Sequence, residues 1–271
     1  MIINISDEKI VIPFINTLIN DKCFSSPMLH TEEELKQNLI RRIKHPDDLV
    51  LAIYDNNNII GVFSVLIEKK ENYMEVLLIF SKERKAYDEF FEYLKNNYNG
   101  WKCDVVTNPK NYIIFNKLKE LNGNFDIEQN YMRLENFKEY IHNLTIVKYE
   151  EKYKDEYISI HTKDRYWTAE KVLNALDRFN VFLAIDKKVV GYIDVTSKFE
   201  TNEPLDLFVL KDYRNKGYGK ALLCEAIKAN FPNNMDLSVD INNESGKHIY
   251  EELGFVYNHI KDSITIHLVI A

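Results

Sequence analysis

Two stretches of the chain, LAIYDNNNIIGVFSV (51–65) and LAIDKKVVGYIDV (183–195), share one build. In each, a β-rich run meets a polar turn, and a second β-rich run follows that carries a glycine, Gly61 or Gly191. Two short apolar runs about Asn, Asp and Lys turn residues predict a β-hairpin. The rhythm continues: eighteen residues after each glycine a strand-like run ends, YMEVLLIF at Ile79 and PLDLFVL at Val209. An arginine (Arg84, Arg214) and a helical stretch come next in both. Self-similarity at this scale constrains the fold more than local propensity does, since both copies must satisfy one architecture.

Around the hairpins the same elements recur. Two helical patterns precede each, at 7–20 and 31–44 in the first half and at about 151–161 and 168–178 in the second. The string TEEE from Thr31 to Glu34 reads as a capping box that opens the helix at 31–44. Downstream lie a strand (101–107; 235–240), a helix (109–121; 244–253) and a β-rich tail. The order β-α-α-β-β-β-α-β-α-β therefore occurs twice, with a junction near 136–144. It predicts an α/β fold, an α+β sandwich per copy, with domains at 1–138 and 139–271.

At 271 residues, with 45% hydrophobic and 28% charged residues, the chain is long enough for two such domains with real cores. The formal net charge of −7 argues against a nucleic-acid partner, which asks for a basic surface. Cys23, Cys103 and Cys224 are too few and scattered for a disulfide framework or a metal site, so no metal is expected. No secretory leader and no run of roughly 20 apolar residues is evident, and the expectation is a cytoplasmic protein without a membrane partner.

The second copy differs from the first at KDYRNKGYGK (211–220), whose four basic residues and one acidic residue give +3 within a chain of −7. Aligned without gaps through Ile79 and Val209, Gly217 meets Tyr87 and Gly219 meets Glu89. Glycine lets backbone N–H groups approach an anion, and the helix predicted at 217–230 adds its unpaired N–H groups and positive dipole end. A phosphate suits such a turn. A P-loop is excluded, because Gly219-Lys220 is followed by Ala221, and a dinucleotide fingerprint is excluded by Leu222 at the third glycine position.

The motif V-x-x-x-x-[RQ]-x-x-G-x-[GA] is present as Val209, Arg214, Gly217 and Gly219, and NESGKHIYEELGF (243–255) follows about thirty residues later. In these two motifs and their order the second half resembles the GNAT acyltransferase superfamily. The resemblance covers about 144–271, while the first half keeps the rhythm and loses the glycines, so it resembles a degenerate GNAT copy that does not bind coenzyme A. It implies two tandem GNAT-like domains, each a mixed, mostly antiparallel sheet flanked by helices. It also implies an acetyl-CoA (or other acyl-CoA) co-substrate whose pyrophosphate sits in the glycine turn. Carried over by position, the cofactor contacts are Leu207, Phe208, Val209, Arg214, Asn215, Lys216, Gly217, Tyr218, Gly219, Lys220 and Asn243. An N-cap role explains Asn243 about as well.

The implied reaction is direct acyl transfer to an amine of a small molecule or amino acid. A neutral amine needs a base, because such amines have a pKa near 10. Glu203, six residues before Val209, is the candidate base. Strand alternation would set 203, 205, 207 and 209 on one face, with Pro204 able to weaken the register. Asp206 is the second candidate and falls on the other face; a water relay is the third. Tyr250 occupies the position of the acid that protonates the leaving thiolate, although a tyrosine packing beside Ile249 and Leu253 would look the same. The resemblance implies that the loop HTKDRYWTAEK (161–171) selects the substrate, through Tyr166 and Trp167 near Asp164 and Arg165, although Trp167 taken alone is better read as packing under the helix at 168–178. His161 reads as structural. Two further readings stay open: a CoA-binding sensor without turnover, and a protein N-acetyltransferase. The assembly expected is a monomer or homodimer.

Overall fold

The computed structural model describes residues 1–28, 32–163 and 166–271. The capping residue Thr31 and the loop residues Asp164 and Arg165 lie outside the described residues. In chain order the first elements are β1 (Ile2–Asn4), α1 (Ile12–Asn16), α2 (Glu32–Lys44), β2 (Leu49–Asp55), β3 (Asn58–Glu68) and β4 (Tyr73–Phe80). Then come α3 (Arg84–Tyr98), β5 (Lys102–Thr107), α4 (Tyr112–Glu120), β6 (Asn124–Phe125) and β7 (Gln129–Leu134). The second series is β8 (Thr145–Lys148), α5 (Lys154–Ile160), α6 (Ala169–Leu173), β9 (Phe179–Asp186), β10 (Lys188–Thr196), β11 (Thr201–Asn202) and β12 (Pro204–Val209). It closes with α7 (Tyr218–Asn230), β13 (Asn234–Asp240), α8 (Glu244–Leu253), β14 (Phe255–Tyr257) and β15 (Ile264–Val269).

The repeated order is present in both series, in the mixed, mostly antiparallel sheets expected. Two of the early helices are shorter than the periodicity suggested. The stretch 7–20 holds only a 3-10 turn at Glu8–Ile10 and the short α1, with Pro13 in its first turn. α6 stops at Leu173 because only Ala169 and Val172 are buried, too little apolar face to hold more turns.

The domain boundary differs from 138/139. The chain forms two compact units, Met1–Asn130 with Asn258–Ala271, and Tyr131–Tyr257. In the first, β15 lies between β5 and β6, pairing antiparallel from Ile264↔Thr107 to Val269↔Lys102. In the second, β7 lies between β13 and β14, pairing Phe255↔Leu134 through Tyr257↔Met132. Each unit is therefore completed by the strand that ends the other copy in the sequence. Alternation cannot reveal this, because it assigns faces and not partner strands.

The seven-stranded sheet of the first unit and the β12-β10-β9-β8 sheet of the second are each buried on both faces. In the first unit Leu49, Leu51 and Ile53 pack with α3 and α4, while Val50 and Ala52 pack with Leu35 and Leu39 of α2. In the second, Val190, Ile193 and Val195 pack with Leu222 and Leu223 of α7. Val181, Leu183 and Tyr192 pack on the other face with Tyr157 of α5 and Val172 of α6. Gly191 sits at a bulge where an added Cβ would stand 2.7 Å from the Phe208 carbonyl oxygen, so the close approach of β12 needs a residue without a side chain.

Candidate active site

The site begins as a fork between the two four-stranded sheets of the second unit, β12-β10-β9-β8 and β11-β13-β7-β14. β11 pairs in parallel with β13 at Thr201↔Asn234 and Asn202↔Met235. Past Glu203 the chain continues as β12, which among the described residues pairs with one strand, β10, and lies at the sheet edge. An open strand edge offers N–H and C=O groups to any extended amide-bearing ligand.

Beyond Val209 comes the glycine turn. Leu210 N–H donates to the Val190 carbonyl (2.9 Å), a 3-10 turn spans Lys211–Tyr213, and Arg214 Nε donates to the Val209 carbonyl (3.0 Å). The backbone turns left-handed at Asn215 (φ 58°) and again at Gly217 (φ 88°). A residue with a Cβ is disfavoured at such a φ. Helix α7 then starts at Tyr218, and no side chain caps its N-terminus. Such a turn at a helix N-terminus is an anion cradle. Arg214 and Lys216 are exposed beside it, and Lys220 pairs with Glu252 at 3.0 Å.

Several of the cofactor residues expected here have side chains engaged within the protein. Leu207 and Val209 pack in the α7-side core, Phe208 stacks on Tyr192 across the sheet (5.9 Å), and Tyr218 is buried. Asn243 caps α8: its Oδ1 accepts from Gly246 N–H at 2.9 Å. Tyr250 is half-buried, edge-on to Phe255 at 5.9 Å, in the cluster that α7 and α8 share.

The expectation that 203, 205, 207 and 209 share a face is corrected. A bulge shifts the register between Asp194↔Asp206 and Val195↔Pro204. As a result Leu205 packs in the α5/α6-side cluster while Leu207 and Val209 pack on the α7 side. Exposed Glu203 sits beside Thr196, its N–H donating to Thr196 Oγ1 (2.8 Å). Asp206 lies on the face opposite Val209, as alternation gave it.

That face carries a connected network of polar side chains. Tyr192 Oη donates to Asp206 Oδ2 (2.5 Å) and accepts from Thr162 N–H (2.9 Å). His161 stacks on Tyr192 (4.7 Å, 12°), with Nδ1 donating to the Thr162 carbonyl (2.9 Å) and Nε2 2.9 Å from Asp194 Oδ2. Tyr157 Oη donates to both Asp194 oxygens at 2.9 Å. Asp194 is 1% exposed and lies within hydrogen-bond distance of both His161 and Tyr157. Burial raises the Asp194 pKa, against the bonds from His161 and Tyr157. For His161, burial opposes the charged ring, but the Asp194 bond and the Thr162 carbonyl outweigh it and hold the pKa above the ordinary value. The network joins the start of the loop after α5 to the half-buried carboxylate of Asp206. Sequence reasoning placed His161 as structural and did not single out Asp194, Tyr192 or Tyr157. The signal was Asp194 itself, one carboxylate in the apolar strand VVGYIDV.

In the loop after α5, Tyr166 is 75% exposed with Lys171 Nζ 3.9 Å from its ring centre. Trp167 instead anchors the loop, edge-on to Phe179 at 4.9 Å. At the base of the fork, Asp236 of β13 is fully buried, bonded to Arg133 Nε (2.8 Å) and Nη2 (2.7 Å) and to the Tyr131 hydroxyl, both on β7. Among the described residues no group of three or more His, Cys, Asp or Glu side chains could hold a metal ion. Among them, too, no helix is long and apolar enough to cross a membrane.

Known proteins share this architecture. Residues 177–257 match the family model for the acetyltransferase (GNAT) domain. The GCN5-related N-acetyltransferase from Sphaerobacter thermophilus superposes with a TM-score of 0.66 at 13% identity, over 99% of this chain and 96% of that one. A tandem GNAT protein from the clavulanic acid biosynthesis pathway gives 0.58 at 8% identity, over 100% and 98%. A GNAT-family acetyltransferase from Colwellia psychrerythraea gives 0.54 at 14% identity, over 99% of each chain. No curated protein matches the chain by sequence. The chain thus has the tandem GNAT fold. Its second unit carries the GNAT acetyltransferase domain, and the motifs of 209–219 and 243–255 fall in the fork, the turn and α8.

Proposed function

We propose that the second unit transfers an acyl group, in the first instance acetyl, from acyl-CoA to a primary amine of a small molecule or amino acid. The observation that carries this reading is the open edge of β12 running straight into the uncapped, left-handed glycine turn. A pantetheine arm has amides to meet the first, and a pyrophosphate has the charge to meet the second. Backbone groups of Leu207 to Val209, the turn 214–217 and the first turn of α7 form this half of the site. Exposed Arg214 and Lys216 add positive charge.

Three demands remain for the chain's own residues. The incoming ammonium must lose a proton; Asp206, aligned by Tyr192, is the base this geometry supports, ahead of exposed Glu203. The oxyanion of the tetrahedral intermediate needs donors, which the N–H groups on the free edge of β12 supply. The departing thiolate needs a proton, and Tyr250 on α8 is the donor proposed from its motif position. A carboxylate at the acceptor side also favours a cationic amine. The first unit, we infer, binds no acyl-CoA, because Tyr87 fills its helix start and the connection from β4 to α3 is confined to 81–83.

Isothermal titration with acetyl-CoA tests the reading. One site per chain is expected, followed by CoA release on addition of amines from a small-molecule panel. Binding without turnover on any amine or peptide would favour the sensor reading, turnover only on peptides would favour protein acetylation, and two sites per chain would refute a silent first unit.

A further inference from the structure

The segment between β7 and β8 runs as a strap along α7. Glu139 pairs with Lys228 at 2.6 Å, and His142 Nε2 lies 3.6 Å from Glu225. Between them Tyr140 is pinned by its backbone: its N–H donates to Cys224 Sγ (3.4 Å) and its carbonyl accepts from the same thiol (3.6 Å). Its ring is fixed on two sides, by the Lys220 ammonium 4.6 Å from the ring centre and by the His142 ring at 5.6 Å. The hydroxyl ends above the glycine turn. It is the atom nearest to where a Cβ on Gly217 would stand, at 2.6 Å, with Leu144 following at 3.6 Å. A strap tied at four points along a helix, ending with a phenol over the left-handed turn, is more than a connection.

We propose that Tyr140 is a further ligand of the acyl-CoA diphosphate, donating its hydroxyl proton to a phosphate oxygen held over Gly217. The inference rests on the acyl-CoA reading above and adds a residue that neither motif contains. The chemistry favours a donor role. A phenol is a good hydrogen-bond donor to an anion, and the ammonium over its ring draws electron density away from the oxygen. The ring is also pre-organised, so little rotamer freedom is lost when a ligand binds. It explains a second demand on position 217 besides its φ: any side chain there would collide with the hydroxyl.

The test compares wild type with Tyr140→Phe, which keeps the ring, the strap and the Lys220 contact and removes only the hydroxyl. Two probes are titrated calorimetrically: coenzyme A, and 3′-phospho-ADP, which carries the 5′-diphosphate without the pantetheine arm. The expected result is a dissociation constant about tenfold weaker for both probes, the size of one hydrogen bond to a charged acceptor. The ligand-free melting temperature is expected to stay unchanged. Equal affinity in the two proteins overturns the inference, and tighter binding by Tyr140→Phe overturns it by making the tyrosine a plug. A wild type that binds neither probe refutes the acyl-CoA reading itself, which the unaltered protein reports separately from the variant.

Discussion

The two units set the same frame around two different turns. In the first, β4 stays paired with β5 from Tyr73↔Lys102 to Val76↔Val105, and residues 81–83 lead directly into α3. In the second, parallel pairing stops at Asn202↔Met235, and residues 210–217 separate β12 from α7. The strand register sharpens the comparison. Phe63 faces Ile79 as Ile193 faces Leu207, so with Gly61 matched to Gly191 the structural equivalent of Ile79 is Leu207 and not Val209. The gapless alignment through Val209 is two residues out, because eighteen residues separate Gly61 from Ile79 and only sixteen separate Gly191 from Leu207. Tyr87, fully buried, donates to the Ser81 carbonyl at 2.7 Å and so ties the start of α3 to the strand end. A site arises here from what is omitted: ladder bonds left unmade and helix turns left unwound free the backbone groups a ligand needs.

The strongest way to break this contrast is Gly217→Glu, which adds a Cβ at φ 88° and an anion in the cradle. Acetyl-CoA binding should fall by more than about a hundredfold in calorimetry, from strain and like-charge repulsion together. Glu89→Gly in the first unit should create no second site, since the paired β4 and short connection remain. Next in size is Tyr250→Phe, for which kcat should drop about a hundredfold with acetyl-CoA affinity unchanged, as loss of a general acid does. Retained kcat would remove Tyr250 from the mechanism.

The exchanged strands supply a third comparison. Arg133 on β7 holds fully buried Asp236, whereas His267 on β15 holds Asp104 (2.6 Å) and Asp126 (3.0 Å) near the surface. Arg133→Met leaves a buried carboxylate without its cation and should cost about 3 kcal/mol in denaturant unfolding. His267→Gln should cost far less, and its effect should depend on pH. The bond to Asp104 raises the His267 pKa, against burial. A raised folded pKa stabilises fully below the unfolded value, near 6.5, and the effect is lost as pH rises through the folded pKa. The melting-temperature gap between wild type and His267→Gln should therefore be widest below pH 6.5 and close as pH rises through the raised folded pKa; a gap that grows with pH would contradict the assignment.

Much of this was legible in the residues. The hairpins about 55–58 and 186–188, the glycine turn and the capping role weighed for Asn243 are short-range features, and each shows in residue types within a few positions. Asp206 was readable only in part: alternation gave its face, while the bulge that moved Leu205 away from Leu207 was hidden in a register shift that no residue type announces. Asp194 was visible as an oddity, but its partners His161 and Tyr157 come from α5, whose docking on β10 no local pattern specifies.

By itself, then, the sequence determined that one fold is built twice and that only the second copy bears a turn fit for an anion, because periodicity and backbone φ demands act over a few residues. Tertiary structure alone decided that β7 and β15 change places, that a bulge moves Leu205 off the face of Leu207, that Asp206 meets the Tyr192 hydroxyl, and that Tyr140 arrives over Gly217. Each of those depends on which distant segments pair and pack. Alternating apolar residues make a strand able to bury a face without saying against which neighbour, and that choice belongs to the free energy of the whole packed unit.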